Sequence, residues 1–94
     1  MAKLSEAEIR DRLAEIKGWE RVGDELVRSW QFASARLALE FARQVTDLAE
    51  RMGHYPDIVL SYRSVRVELS THADGGLTDL DFKMAAALVS LDVA

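Results

Sequence analysis

The 94-residue chain holds only two histidines, His54 and His72, and both fall within one stretch from Glu50 to Asp81. Imidazole titrates near neutral pH, so two separated histidines can donate and accept protons in one pocket without a metal or cofactor. Glu50, Asp57 and Asp81 belong to the same stretch and offer carboxylates that could orient an imidazole or hold a polar ligand. The only proline, Pro56, follows His54 by two residues and marks a sharp turn, Gly53-His54-Tyr55-Pro56-Asp57. Acid–base chemistry is the expectation. A metal site is the weaker reading, because the two histidines and scattered carboxylates match no standard ligand spacing. Neither a phosphate-cradling glycine loop nor a Gly-x-Ser-x-Gly nucleophile elbow is present.

Taken singly, each of these residues also has a plain structural explanation. His54 reads as a turn histidine and His72 as one at a strand end. Glu50 reads as a solvated helix-face carboxylate, and Asp57 as a turn stabiliser. Asp81 sits three residues after Thr78 and reads as a helix cap. Trp19 and Tyr62 read first as core, with the Tyr62 hydroxyl at the rim.

The elements that must position these residues follow from periodicity. Ser5 and Glu8 form a capping-box pattern, and Ile9, Leu13 and Ile16 continue it as an amphipathic helix over about residues 6–17, stopped by Gly18. Residues 19–22 read as a short strand, Gly23-Asp24 as a two-residue hairpin turn, and the return strand keeps Trp30 and Phe32 on one face. A second helix over about 34–52 carries the stripe Leu37, Phe41, Val45, Leu48, Met52 and stops at Gly53. Residues 58–62 form a third strand, joined through Arg63-Ser64 to a fourth over 65–71, where Val65, Val67, Leu69 and Thr71 share a face. If that strand persists to His72, its imidazole points away from the apolar face. The loop Ala73-Asp74-Gly75-Gly76 leads into a last helix carrying Leu80, Met84, Leu88 and Leu91. A second stripe on that helix, Phe82, Ala86, Val89 and Val93, suggests self-association. The order α-β-β-α-β-β-α implies the α+β class: a four-stranded antiparallel sheet with helices packed on one face.

Composition narrows the function. The length suits one domain over residues 1–94, and 49% apolar with 30% charged residues is ordinary for a globular chain. A net charge of −4 makes direct nucleic-acid binding a poor expectation. No cysteine is present, which removes disulfides and thiol chemistry and fits a cytoplasmic protein. The N-terminus has no stretch like a signal peptide, and no apolar run reaches membrane length.

As a set, the residues resemble the signature of the pterin-4a-carbinolamine dehydratase family. That pattern is an acidic residue, three residues, His, then His or Asn, Pro, a gap to an aromatic, nine residues to His, and eight or more to Asp. Here it runs Glu50, His54, Tyr55, Pro56, Tyr62, His72, Asp81, and Gly18-Trp19 and Leu69-Ser70-Thr71-His72 resemble the family as well. Tyr55 departs from it, placing a phenol that normally titrates at about 10 where the family has a histidine or asparagine. The resemblance implies loss of water from a 4a-hydroxytetrahydropterin to give the quinonoid dihydropterin. It implies that His54 and His72 share the acid and base roles, with Tyr55 hydrogen-bonding to substrate or water. Glu50, Pro56, Asp57, Trp19 and Asp81 would surround the pterin, which is the substrate, so no cofactor is expected. The family forms homodimers or homotetramers, expected here through the last helix. Its fold also serves as a non-catalytic dimerisation or assembly partner, which is the alternative function.

Overall fold

A computed structural model describes residues 2–91, and three helices and four strands follow the expected order. Helix α1 (Glu6–Leu13) opens on a complete capping box between Ser5 and Glu8. It is shorter than its periodicity suggests. The chain tightens after Leu13 into three-residue bonds, Glu15 N–H to Arg12 O and Ile16 N–H to Leu13 O, so Ile16 reaches the core from a turn.

Strand β1 (Glu20–Val22) begins one residue later than expected, and Gly23-Asp24 joins it to β2 (Glu25–Gln31). Strands β3 (Asp57–Ser61) and β4 (Ser64–Leu69) form the second hairpin. Sheet order is β1-β2-β4-β3, antiparallel throughout, with Leu26 opposite Leu69 and Trp30 opposite Val65. The β3–β4 turn is Tyr62-Arg63 rather than Arg63-Ser64, and Tyr62 adopts a positive φ of 51° there. That turn swings the Tyr62 ring into solvent, 74% exposed, so it is not a core residue.

Helix α2 (Ala35–Met52) is capped by the Ser34 hydroxyl and ends at Gly53 in the left-handed conformation, φ 65°. Its buried face is Ala38, Phe41, Val45, Leu48 and Ala49; Leu37 lies one position off that face and is exposed. Helix α3 (Asp79–Val89) buries Phe82, Met84, Ala85 and Leu88. The expected second stripe on α3 therefore divides. Phe82 belongs to the protein's own core, Ala86 and Val89 are exposed, and Val93 lies outside the described residues.

All three helices and Leu26, Trp30, Val65, Val67 and Leu69 of the sheet contribute to one apolar cluster, so the helices cover a single sheet face. Aromatic rings link its layers: Trp19 meets Trp30 edge-on at 5.8 Å, and Trp30 tilts against Phe41 at 4.7 Å. Arg28 shares the core face of β2, its guanidinium stacked over Trp30 and Nη1 donating to Lys17 O at 3.0 Å. Gly18 permits this approach, with φ 87° and only 2.8 Å between an added Cβ and Arg28. Among the described residues no helix is long and apolar enough to cross a membrane.

Candidate active site

The end of α2 fixes His54. Gly53 turns the chain left-handed, and the His54 amide donates back to Ala49 O at 3.1 Å, which closes the helix and aims the next side chain inward. The His54 ring is 8% exposed, and its Nε2 lies 2.6 Å from Oδ1 of Asp81. These residues are 27 positions apart in sequence.

Asp81 is fully buried at the third position of α3. Burying a carboxylate is costly unless donors surround it, and here three do. His54 Nε2 meets Oδ1; Oδ2 accepts the Thr78 amide at 2.9 Å and the Thr71 hydroxyl at 2.7 Å. The positive end of the α3 dipole adds to them. The capping and functional readings of Asp81 therefore coexist: the same side chain caps α3 and holds His54.

His72 is placed differently. Strand β4 ends at Leu69, short of the expected 71, and Thr71 makes only an isolated bridge to Gly76. His72 then opens a single 3-10 turn, His72–Asp74, closed by Gly75 at φ 78°. Strand alternation thus does not govern its side chain, which is exposed. Its neighbour Thr71 is nevertheless tied to Asp81. One carboxylate joins the two histidine-bearing turns, His54 directly and the root of the His72 turn through a hydroxyl.

The other expected site residues spread out. Tyr55, beside His54, is 66% exposed, and Pro56 is half-buried between it and β3. Glu50 is exposed on α2, and the carboxylate against His54 is that of Asp81. Asp57 opens β3 opposite Glu68, on the sheet face away from the helices; its carboxylate clusters there with those of Glu25 and Glu68, the last paired with Arg66 at 2.7 Å. Trp19 lies in the core against Trp30 rather than along an open wall. Thr71 and Thr78 did not stand out as site residues in sequence. The available signal was a threonine continuing the apolar face of Val65, Val67 and Leu69, where burial demands a polar partner.

A small α+β protein organised around a buried histidine–carboxylate pair is the class that fold and site define. The sequence profile of the family described as "Pterin 4 alpha carbinolamine dehydratase" matches residues 2–91. A protein of Thermomicrobium roseum named "Putative pterin-4-alpha-carbinolamine dehydratase" is 45% identical, over 97% of this chain and 98% of its own length. One of the same name from Sulfolobus acidocaldarius is 41% identical over 88% and 91%. A crystal structure from Brucella melitensis, described as a transcriptional coactivator/pterin dehydratase, superposes with a TM-score of 0.87 at 33% identity, covering 94% of this chain and 96% of that one. A pterin dehydratase-like protein described as a RuBisCO assembly factor in the alpha-carboxysome shares the fold, with a TM-score of 0.61 at 20% identity over 74% and 81%. The chain belongs to the pterin-4a-carbinolamine dehydratase family.

Proposed function

We propose that this protein dehydrates 4a-hydroxytetrahydropterins to quinonoid dihydropterins by histidine acid–base catalysis. The observation that carries this reading is the buried His54–Asp81 pair, 2.6 Å apart, within a chain that has the family's residue signature. Because Nε2 is engaged by the carboxylate, His54 exchanges protons with a substrate through Nδ1. In the step proposed, Nδ1 takes the proton from pterin N5. The N–H electron pair becomes the N5=C4a bond as the C4a–O bond breaks, and the departing hydroxyl takes a proton from His72 and leaves as water. Exposure of His72 suits exchange of that proton with solvent. Tyr55 offers a hydrogen-bonding hydroxyl at the position where the family pattern has histidine or asparagine. The reaction so written draws on no metal or cofactor.

Self-association is part of the proposal. On α3, Ala86 and Val89 border a shallow cleft with Ile16, and β3 is an open sheet edge with Val59 and Leu60 exposed. The alternative, a non-catalytic assembly partner, draws on these same apolar positions and on Tyr55.

The dehydration rate of freshly generated 4a-hydroxytetrahydropterin, followed by absorbance with and without the protein, tests the proposal. Acceleration that His54→Ala removes is the expected result. A folded wild-type protein that leaves the spontaneous rate unchanged would refute the enzymatic reading in favour of the assembly partner.

A further inference from the structure

The Thr71 hydroxyl carries a single hydrogen, and Asp81 Oδ2 takes it at 2.7 Å. The Thr78 hydroxyl lies 2.8 Å from Thr71 Oγ1 and must therefore be the donor in that contact. Hydrogen bonding thus runs one way, from Thr78 to Thr71 to Asp81. With the Thr78 amide also on Oδ2, that oxygen is filled and Oδ1 is left for His54 Nε2. We propose that Thr71 and Thr78 are positioning residues, whose ordered hydroxyl chain sets the orientation of Asp81 and so holds His54 in the tautomer with Nε2 protonated and Nδ1 free. The inference deepens the reading of His54 as a proton-exchanging group and rests on it for its kinetic consequence.

Thr71 is suited to this because its backbone is fixed without its side chain. Its amide donates to Gly76 O at 3.1 Å, and its carbonyl accepts from the amides of Asp74 and Gly76. Thr78 is fully buried, and its hydroxyl points at Thr71 while its carbonyl accepts the Asp81 amide at 3.1 Å. Valine at either position keeps the β-branched shape and exchanges the hydroxyl for a methyl group. The chain predicts a hierarchy: Thr71 acts on Asp81 directly, and Thr78 acts only through Thr71.

The test compares T71V, T78V, the double variant and T71S, with two readouts. Nitrogen-15 NMR of the His54 ring, without substrate, should report one Nε2–H tautomer in the wild type and T71S, and a mixture of tautomers in T71V. Dehydration should fall about tenfold in T71V, the scale for losing a hydrogen bond to a charged group, and about threefold in T78V. The double variant should be no slower than T71V, and T71S should restore the rate. If T71V does not fold, T78V carries the test against T71S: a partial loss of the single tautomer with a rate about threefold lower supports the proposal, and an unchanged tautomer and rate overturn it. A single, unchanged tautomer in both valine variants would overturn the proposal, as would rate losses that multiply in the double variant. The NMR result stands even where the wild type shows no dehydration, so failure of the positioning role and failure of the enzymatic reading are distinguishable.

Discussion

The two histidine turns look alike in sequence and differ in the folded chain. His54 follows an 18-residue helix, is held by the helix-closing hydrogen bond to Ala49, and buries its ring against a carboxylate that has three donors. His72 opens a three-residue 3-10 turn, stays exposed, and is held by its own carbonyl, which accepts the Gly75 amide, and by its neighbour Thr71. The difference teaches how one small fold can supply two groups of the same chemical type for different tasks. A buried, oriented imidazole has one nitrogen committed and one available, while an exposed imidazole keeps both in exchange with water.

The largest way to break the comparison is to delete each ring. His54→Ala should lower dehydration by about 100-fold or more, the scale of a lost general acid or base. It should also destabilise the protein by about 3 kcal/mol in denaturant unfolding, because the buried Asp81 loses one of its three donors and the ring leaves a gap. His72→Ala should lower the rate on a similar scale, yet change stability by no more than about 0.5 kcal/mol, as expected for an exposed side chain. Equal stability losses in the two variants would mean that the buried pair is no anchor.

A smaller effect separates the turns through their glycines. Gly53 and Gly75 both have positive φ and open space where a Cβ would project, so alanine meets only backbone strain at either one. Gly53→Ala should cost about 1 kcal/mol in unfolding measurements, since it strains the stop that aims His54. Gly75→Ala should carry less of that cost into global unfolding, because the exposed turn can open locally. Reversal of that order in matched denaturant melts would contradict the assigned roles of the turns.

Assembly provides a further comparison, between α3 and the site. Val89 is 51% exposed and its neighbour Leu88 is buried. Val89→Asp should lower the mass seen by light scattering while leaving the His54 turn intact, and an unchanged mass would remove this face from any interface.

The smallest effect is one of pH at the periphery. Hydrogen bonds from Arg21 hold the Glu6 carboxyl below its ordinary range, and bonds from Lys83 and then Arg12 do the same for Asp79. A carboxyl held low in the folded state contributes stability above its ordinary titration range and loses it as pH falls through that range and below. Glu6 is exposed and Asp79 half-buried at the surface, so thermal melts under acid should show a shallow decline that high salt diminishes.

How much of this was legible in the chain depends on how local the physics is. Ser5 with Glu8 marked the start of α1, Gly53 marked the end of α2, and alternation put Val65, Val67 and Leu69 on the core face. Those signals act within a few residues. The end of α1 was not legible, because Ile16 satisfies the helical stripe equally well from a following turn. Leu37 fitted the apolar period, but Ala38 is the residue that α2 presses against the core. Tyr62 looked like the end of an apolar strand, and the two-residue turn took it instead. The candidate site followed the same division. Both histidines and Asp81 stood out by type and spacing, whereas the choice of Asp81 over Glu50 as the partner of His54 required the packing of α3 against the end of α2. Thr71 and Thr78 became visible only once that carboxylate was seen to be buried.

The most direct measurement is a paired one on the wild type, His54→Ala and His72→Ala: dehydration rate and unfolding free energy for each. The account predicts that both variants lose the rate and that only His54→Ala loses several kcal/mol of stability. Retention of the wild-type rate by both variants, in a protein that itself accelerates dehydration, would contradict it.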